Sequence, residues 1–205
     1  MEEPDLESEP LVQPCAMPLL LLPDIFLFPS CELPLRISEE IQSTIIKYGL
    51  EHDELFAVGC TSESGGISTV VTAAIIRSLF EFADGASEIV FFGMQRMRIV
   101  GMNQIRPFPI VRVEPIPYSP VSPEDFDEWH EPLSLLVESR SREWRDLYSE
   151  MADWVRRVED PAMICDVVGL NLVRSRSRLR ELLAEESTKR RMEILFETLT
   201  EAEPK

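Results

Sequence analysis

The pattern of apolar and polar positions changes character near the middle of the chain. From Met17 to about Pro117, short apolar stretches are broken by glycine and proline corners, the rhythm of short strands. Segment 19–29, LLLLPDIFLFP, is apolar but rich in proline. Proline withholds an N–H from a ladder, so this segment predicts edge strands or bulged, barrel-like turns. Between Ser38 and Tyr48, Ile41, Ile45 and Tyr48 share a helical face, Glu39, Glu40 and Lys47 lie elsewhere, and Gly49 supplies a stop. Leu55 to Cys60 reads as a short apolar strand. After the Gly65-Gly66 loop come two strands joined at Asp84-Gly85, a strong turn dipeptide. Arg96 and Arg98 alternate with Met97 and Ile99, as in a half-buried strand, and Gly93 and Gly101 interrupt that run as bulges or bends. PIVRVEPIP supplies a last strand. Short strands with such corners predict a small closed or partly closed barrel.

Beyond Tyr118 the period becomes helical. Ser122 is the expected N-cap, with Pro123 at the first helical position and Asp125 at the reciprocal capping position. The acids Glu124, Asp125, Asp127 and Glu128 suit a helix N-terminus better than a metal. From Leu133 to Val158, Leu136, Val137, Trp144, Leu147, Tyr148, Met151 and Val155 recur at three- and four-residue steps, predicting one long amphipathic helix. Asp160-Pro161 opens another, which Gly169 can end. Leu179, Leu182, Leu183, Met192, Leu195, Phe196 and Leu199 mark one or two more. Strands followed by helices mean an α+β fold. The expected organisation is a flexible acidic tail over 1–16, a β subdomain over 17–117 and a helical subdomain over 118–205.

Composition narrows the function. A chain of 205 residues can bury roughly 70% of its unfolded surface. Its net charge of −17 disfavours nucleic acid, whose binding draws on Lys and Arg displacing counterions. Cys15, Cys31, Cys60 and Cys165 form no C-x-x-C pair, and His52 and His130 complete no zinc spacing, so reduced thiols and no metal or other cofactor are expected. Leu19 to Leu22 follows acids instead of basic residues and is bracketed by Pro18 and Pro23, unlike a signal core. With no apolar run near the roughly 20 residues that span a bilayer, the expectation is a cytoplasmic protein without membrane contact.

Catalytic constellations do not assemble either. No G-x-x-x-x-G-K loop or G-x-S-x-G elbow occurs, and Lys47, Lys189 and Lys205 sit in no serine–lysine setting. His130 and His52 read as solvated or capping groups. The serine-interleaved arginines Arg174, Arg176, Arg178 and Arg180 are the strongest nucleic-acid signal, but Glu181, Glu185 and Glu186 follow at once. Ion pairing is their expected fate, ahead of an acidic partner or RNA.

Several segments together resemble the Lon N-terminal (substrate-binding) domain family. LLLLPDIFLFPSCELPLRI resembles its first strands, with the Phe28-Pro29 corner and Leu33-Pro34-Leu35. VVTAAIIRSLFEFADGASEIVFFGMQRMRIV resembles its central hairpin, with Gly93, Gln95, Arg96 and Arg98 in a G-x-Q-R-x-R strand. FPIVRVEPIP resembles the strand that follows. Asp160-Pro161 with Asp166, then LRELLAEESTKRRMEILFETL, resembles its final helices. The resemblance covers about residues 17–200. It implies a PUA-like β-barrel or pseudobarrel followed by an α-helical bundle, in a free-standing form that stops where the family's AAA+ ATPase and serine–lysine peptidase begin. It also implies a non-catalytic module that binds other proteins or unfolded polypeptide segments, as an adaptor or regulator of proteolysis.

The candidate peptide surface is the proline-rich edge of Phe26, Phe28 and Pro29, with Phe108 and Pro109, where incomplete strand pairing exposes backbone to an extended peptide. The competing and favoured expectation is that these aromatics fill the barrel and its junction with the helices. The alternative function is a PUA-like RNA-binding module.

Overall fold

Successive strand side chains point to opposite faces, and over 17–22 and 56–60 both faces are largely buried. The computed structural model describes residues 13–37, 40–52, 55–61, 65–82, 87–143 and 150–201. Its strands are β1 (Cys15–Leu22), β2 (Glu32–Ile37), β3 (Phe56–Cys60), β4 (Val70–Glu81), β5 (Ser87–Gln104) and β6 (Ile110–Pro115), with helix α1 (Glu40–Glu51) between β2 and β3. Helices α2 (Pro123–Glu143), α3 (Met151–Arg157), α4 (Pro161–Leu172), α5 (Arg176–Ala184) and α6 (Thr188–Glu201) follow. The fold is mixed α+β, a six-stranded sheet and six helices among the described residues.

The sheet order is β2-β5-β4-β3-β1-β6, and β6 also pairs with β5. The pairings therefore run in a circuit through β5, β4, β3, β1 and β6. An 18-residue strand such as β5, if straight, would run about 60 Å. Bulges let it bend instead. Register shifts fall opposite Gly93–Gln95 and again at Ile99/Gly101, where the two glycines of this strand were expected to break regularity. The β4–β5 hairpin forms as expected, Glu81 opposite Ser87, while Asp84-Gly85 lies outside the described residues.

Alternation explains the apolar runs. Met17 and Leu19 join Ala57, Val71, Ala73, Met97, Val111 and Val113 in one buried cluster. Leu20 and Leu22 face the larger cluster, which also takes Phe56 and Phe91 from strands, Ile164, Leu182 and Leu195 from helices, and Phe28 from the turn before β2. A strand buried on both faces needs no polar alternation, hence four consecutive leucines.

Five local expectations change. β1 is not an edge strand: Cys15 to Pro18 pair with β6, and Leu19 to Leu22 pair with β3. Pro18 stands where one pairing hands over to the other, so its missing N–H interrupts little. β1 also begins at Cys15, two residues inside the segment assigned to a tail. Gly49 does not stop α1, which continues to Glu51; a Cβ there would lie 2.2 Å from the Phe56 ring. Gly169 likewise sits inside α4, where a Cβ would meet Leu182 at 3.3 Å. Both glycines serve close packing.

The fifth change concerns the long helix. A continuous helix would separate Glu138 from Arg156 by about 27 Å at 1.5 Å per residue, yet their side chains pair at 2.6 Å. The chain folds back, and α3 packs on α2. Trp144, Leu147 and Tyr148 lie outside the described residues. Ser122 caps α2 as expected: its Oγ accepts from the Asp125 N–H at 3.1 Å and donates to the Asp125 carboxylate, which also takes Lys189 at 2.6 Å. Among the described residues, no helix is long and apolar enough to cross a membrane.

Candidate functional site

Gly93 positions one wall of a cleft between the sheet and the helices. Its N–H donates to Cys31 O and its carbonyl accepts from Ser30 N–H, docking the 28–31 turn onto β5. Only glycine allows this approach, since a Cβ would fall 2.2 Å from the Phe28 carbonyl oxygen. Ser30 completes the turn at φ 61°. Thr72 adds a buried hydrogen bond from its hydroxyl to Leu27 O at 2.6 Å. Pro29 and Ser30 are thereby held beside Met94, Gln95 and Arg96.

The cleft occupies about 260 Å³. Ile116, Pro117 and Tyr118, just beyond β6, line another side, and Asp160, Ala162 and Met163 bring in the first turn of α4. Glu186, before α6, stands at the margin. Asp160 caps α4 by accepting from Ala162 N–H at 2.8 Å. The walls are thus largely apolar, with two methionines whose flexible thioethers adapt to varied shapes.

Its floor is a buried ion cluster assembled from three elements. Arg96 of β5 grips Asp166 of α4 through both carboxylate oxygens, at 2.7 and 2.5 Å. Arg191 of α6 reaches Asp166 Oδ1 at 3.0 Å and Thr188 Oγ1 at 2.9 Å. Arg96 Nε also donates to Leu183 O in α5, and its guanidinium lies 5.6 Å from the Phe28 ring centre. Side-chain exposure is only 8% for Arg96, 3% for Asp166 and 5% for Arg191. Burial, then the neighbouring Arg96, pulls Arg191 below the usual guanidinium range. Burial also pushes the Cys31 and Cys165 thiols up to about 12 each, so neither presents a thiolate near neutral pH.

Of the five residues expected to form a peptide edge, Pro29 is the one that lines this cleft. Phe26, Phe28 and Phe108 are 6%, 0% and 4% exposed and belong to the large core cluster. Phe26 lies under the Arg180 guanidinium, Phe108 packs on Tyr48, and the Pro109 carbonyl accepts from Leu19 N–H. The structure thus gathers the three aromatics in the interior and does not bring them together at a surface.

Three arginines of the run are ion-paired. Arg176 and Arg180 both meet Asp24, and Arg178 meets Glu181 and Glu201. His130 contacts Val155 O at 2.7 Å while stacked on Phe126, and His52 contacts Tyr48 O at 2.8 Å while stacked on Tyr48. Both imidazoles tie backbone to a neighbouring ring. Sequence reasoning missed Arg191 altogether, used Asp166 only as a family marker, and placed Arg96 on a half-buried strand without giving it a partner. An arginine at a half-buried strand position was the available signal, because a buried guanidinium requires a partner.

Comparisons with known proteins agree with this architecture. The family model described as "ATP-dependent protease La (LON) substrate-binding domain" matches residues 16–201. The Lon protease of Geobacter metallireducens is 25% identical over 181 residues, covering 83% of this chain and 22% of that protein. The Lon protease of Trichlorobacter lovleyi is 24% identical over 202 residues, covering 93% and 24%. The chain therefore spans under a quarter of the length of these relatives. The N-terminal domain of Mycobacterium avium complex Lon protease superposes with a TM-score of 0.76 at 18% identity, covering 92% of this chain and 100% of that one. The Lon N-terminal domain protein of Xanthomonas campestris gives 0.67 at 20%, covering 89% and 98%. With sheet, helices and nearly the whole chain accounted for, this protein belongs to the Lon substrate-binding domain family.

Proposed function

We propose that this chain is a non-catalytic, cytoplasmic recognition module that binds exposed apolar segments of other proteins in the cleft, as an adaptor or regulator of proteolysis. Unfolding and peptide hydrolysis fall to other components in this reading. We take the sheet as a PUA-like pseudobarrel over 17–117, with 118–205 as its helical companion. Pro29 stays in the proposed surface, while Phe26, Phe28, Phe108 and Pro109 support it from within.

The observation that carries this reading is the chemistry of the walls. Pro29, Met94, Ile116, Pro117, Tyr118 and Met163 present adaptable apolar surface, and as many polar residues line the cleft beside them, so apolar contact and fixed polar groups are both on offer to a ligand. Tyr118 is 61% exposed, an aromatic anchor available to a partner. RNA binding draws no comparable support, since Arg176, Arg178 and Arg180 are occupied by carboxylates. Fluorescence anisotropy with labelled apolar peptides tests the reading. Tyr118→Ala should weaken binding by about fivefold or more while leaving the melting temperature nearly unchanged. Unaltered affinity in that variant would remove the cleft from consideration. Phe28→Ala is the wrong probe, because a fully buried ring reports on folding.

A further inference from the structure

The floor of the cleft holds two guanidinium groups and one carboxylate. Asp166 Oδ1 accepts from both Arg96 Nη2 and Arg191 Nη1, so one negative charge is shared between two cations. The other acids at the cleft are engaged: Asp160 caps its own helix, and Glu186 pairs with Arg98. Arg191 Nε has no hydrogen-bond partner among the described residues, although the side chain is only 5% exposed. The N-terminal turn of α4 forms the adjoining wall, where the Asp160 carboxylate already meets the helix dipole, so an incoming anion depends on Arg191. A buried cation in excess is costly, and a partner's anion relieves that cost.

We infer that the cleft receives the free C-terminal carboxylate of a polypeptide, with Arg191 as its main partner and the last side chains against Met94, Met163 and Tyr118. This rests on the proposed role of the cleft as a peptide surface and specifies which part of the polypeptide enters. Size favours a chain end. At about 260 Å³ the cleft lies just below the roughly 300–1,000 Å³ of small-molecule pockets. One or two terminal residues fit, whereas an internal acidic side chain must bring chain in from both directions.

The test compares two apolar peptides of identical sequence, one ending in a carboxylate and one in an amide, by fluorescence anisotropy with the full chain. The acid should bind about tenfold or more tightly, the scale of a charge-assisted hydrogen bond. Adding an internal Asp to the amide should not restore affinity. In Arg191→Met, checked for folding by its melting temperature, the acid and amide should bind alike. Equal binding of the two peptides to the unaltered protein overturns the carboxylate inference and leaves the peptide reading standing. Binding of neither overturns both. If Arg191→Met does not fold, the acid–amide comparison on the unaltered protein decides alone.

Discussion

Met97 and Arg96 are neighbours on β5, yet they enter interiors of different kinds. Met97 points into the cluster of Met17, Leu19, Ala57, Val71, Ala73, Val111 and Val113, supplied entirely by strands. Arg96 points into the seam between sheet and helices, where it meets Asp166, Arg191 and the carbonyl of Leu183. The first interior is held by area removed from water, which is non-directional and tolerates exchange of one apolar group for another of similar volume. The second depends on geometry, because each buried donor or acceptor lacking a partner costs about 1–3 kcal/mol. The seam fixes how the helices sit on the sheet, and it is also where the cleft opens. Polar groups that define this junction are therefore the ones a ligand of the proposed site would meet.

The strongest way to break this contrast is Asp166→Ala. It leaves two buried guanidinium groups without their shared counterion and should cost about 3–5 kcal/mol in urea denaturation. Met97→Ala should cost about 2–5 kcal/mol through cavity formation, but Met97→Leu should recover most of that, whereas Asp166→Leu should recover little. Equal rescue at both positions would show that the seam is ordinary apolar core.

The seam thiols sharpen the comparison through pH. Cys165 and Cys31 are held near 12 when folded, chiefly by burial, against an ordinary value of 9.0. Above pH 9 the unfolded chain loses these protons while the folded chain keeps them. Stability is therefore unaffected below 9 and falls as pH rises from 9 towards 12, by up to about 1.4 kcal/mol per pH unit for each thiol. Urea midpoints taken across that window should decline, and Cys165→Ala should make the decline shallower. The smallest expected effect lies at the surface latch of Asp24 with Arg176 and Arg180, whose side chains are 40%, 63% and 22% exposed. Asp24→Asn keeps a residue that tolerates the positive φ at this position. It should cost under about 1 kcal/mol, and less at high salt. A larger loss would move these pairs from the surface into the seam's class.

Much of this organisation was legible in local patterns. Ser122 and Asp160 announced helix starts because a short polar side chain ahead of a proline is a local arrangement. Gly93 and Gly101 announced bulges for similar reasons. Gly49 and Gly169 were misread as stops, since the Phe56 ring and Leu182 that require a missing Cβ arrive from elsewhere in the chain. The apolar period that begins at Leu133 is helical to Glu143 and again from Met151 to Arg157, but period alone does not register a reversal of direction. Phe26, Phe28 and Phe108 suit an interior or a surface by residue type, with the interior favoured, and only the packing of core against them decides.

Amino-acid order alone determined the α+β division, most element positions, the acidic net charge and the family resemblance. These follow from neighbour-to-neighbour chemistry: alternation, caps, turns and summed charge. Tertiary structure decided that Arg96, Asp166 and Arg191, on a strand and two separate helices, share one buried carboxylate beneath a cleft. That arrangement depends on contacts spanning 70 and 25 residues of chain, distances across which no local periodicity carries information.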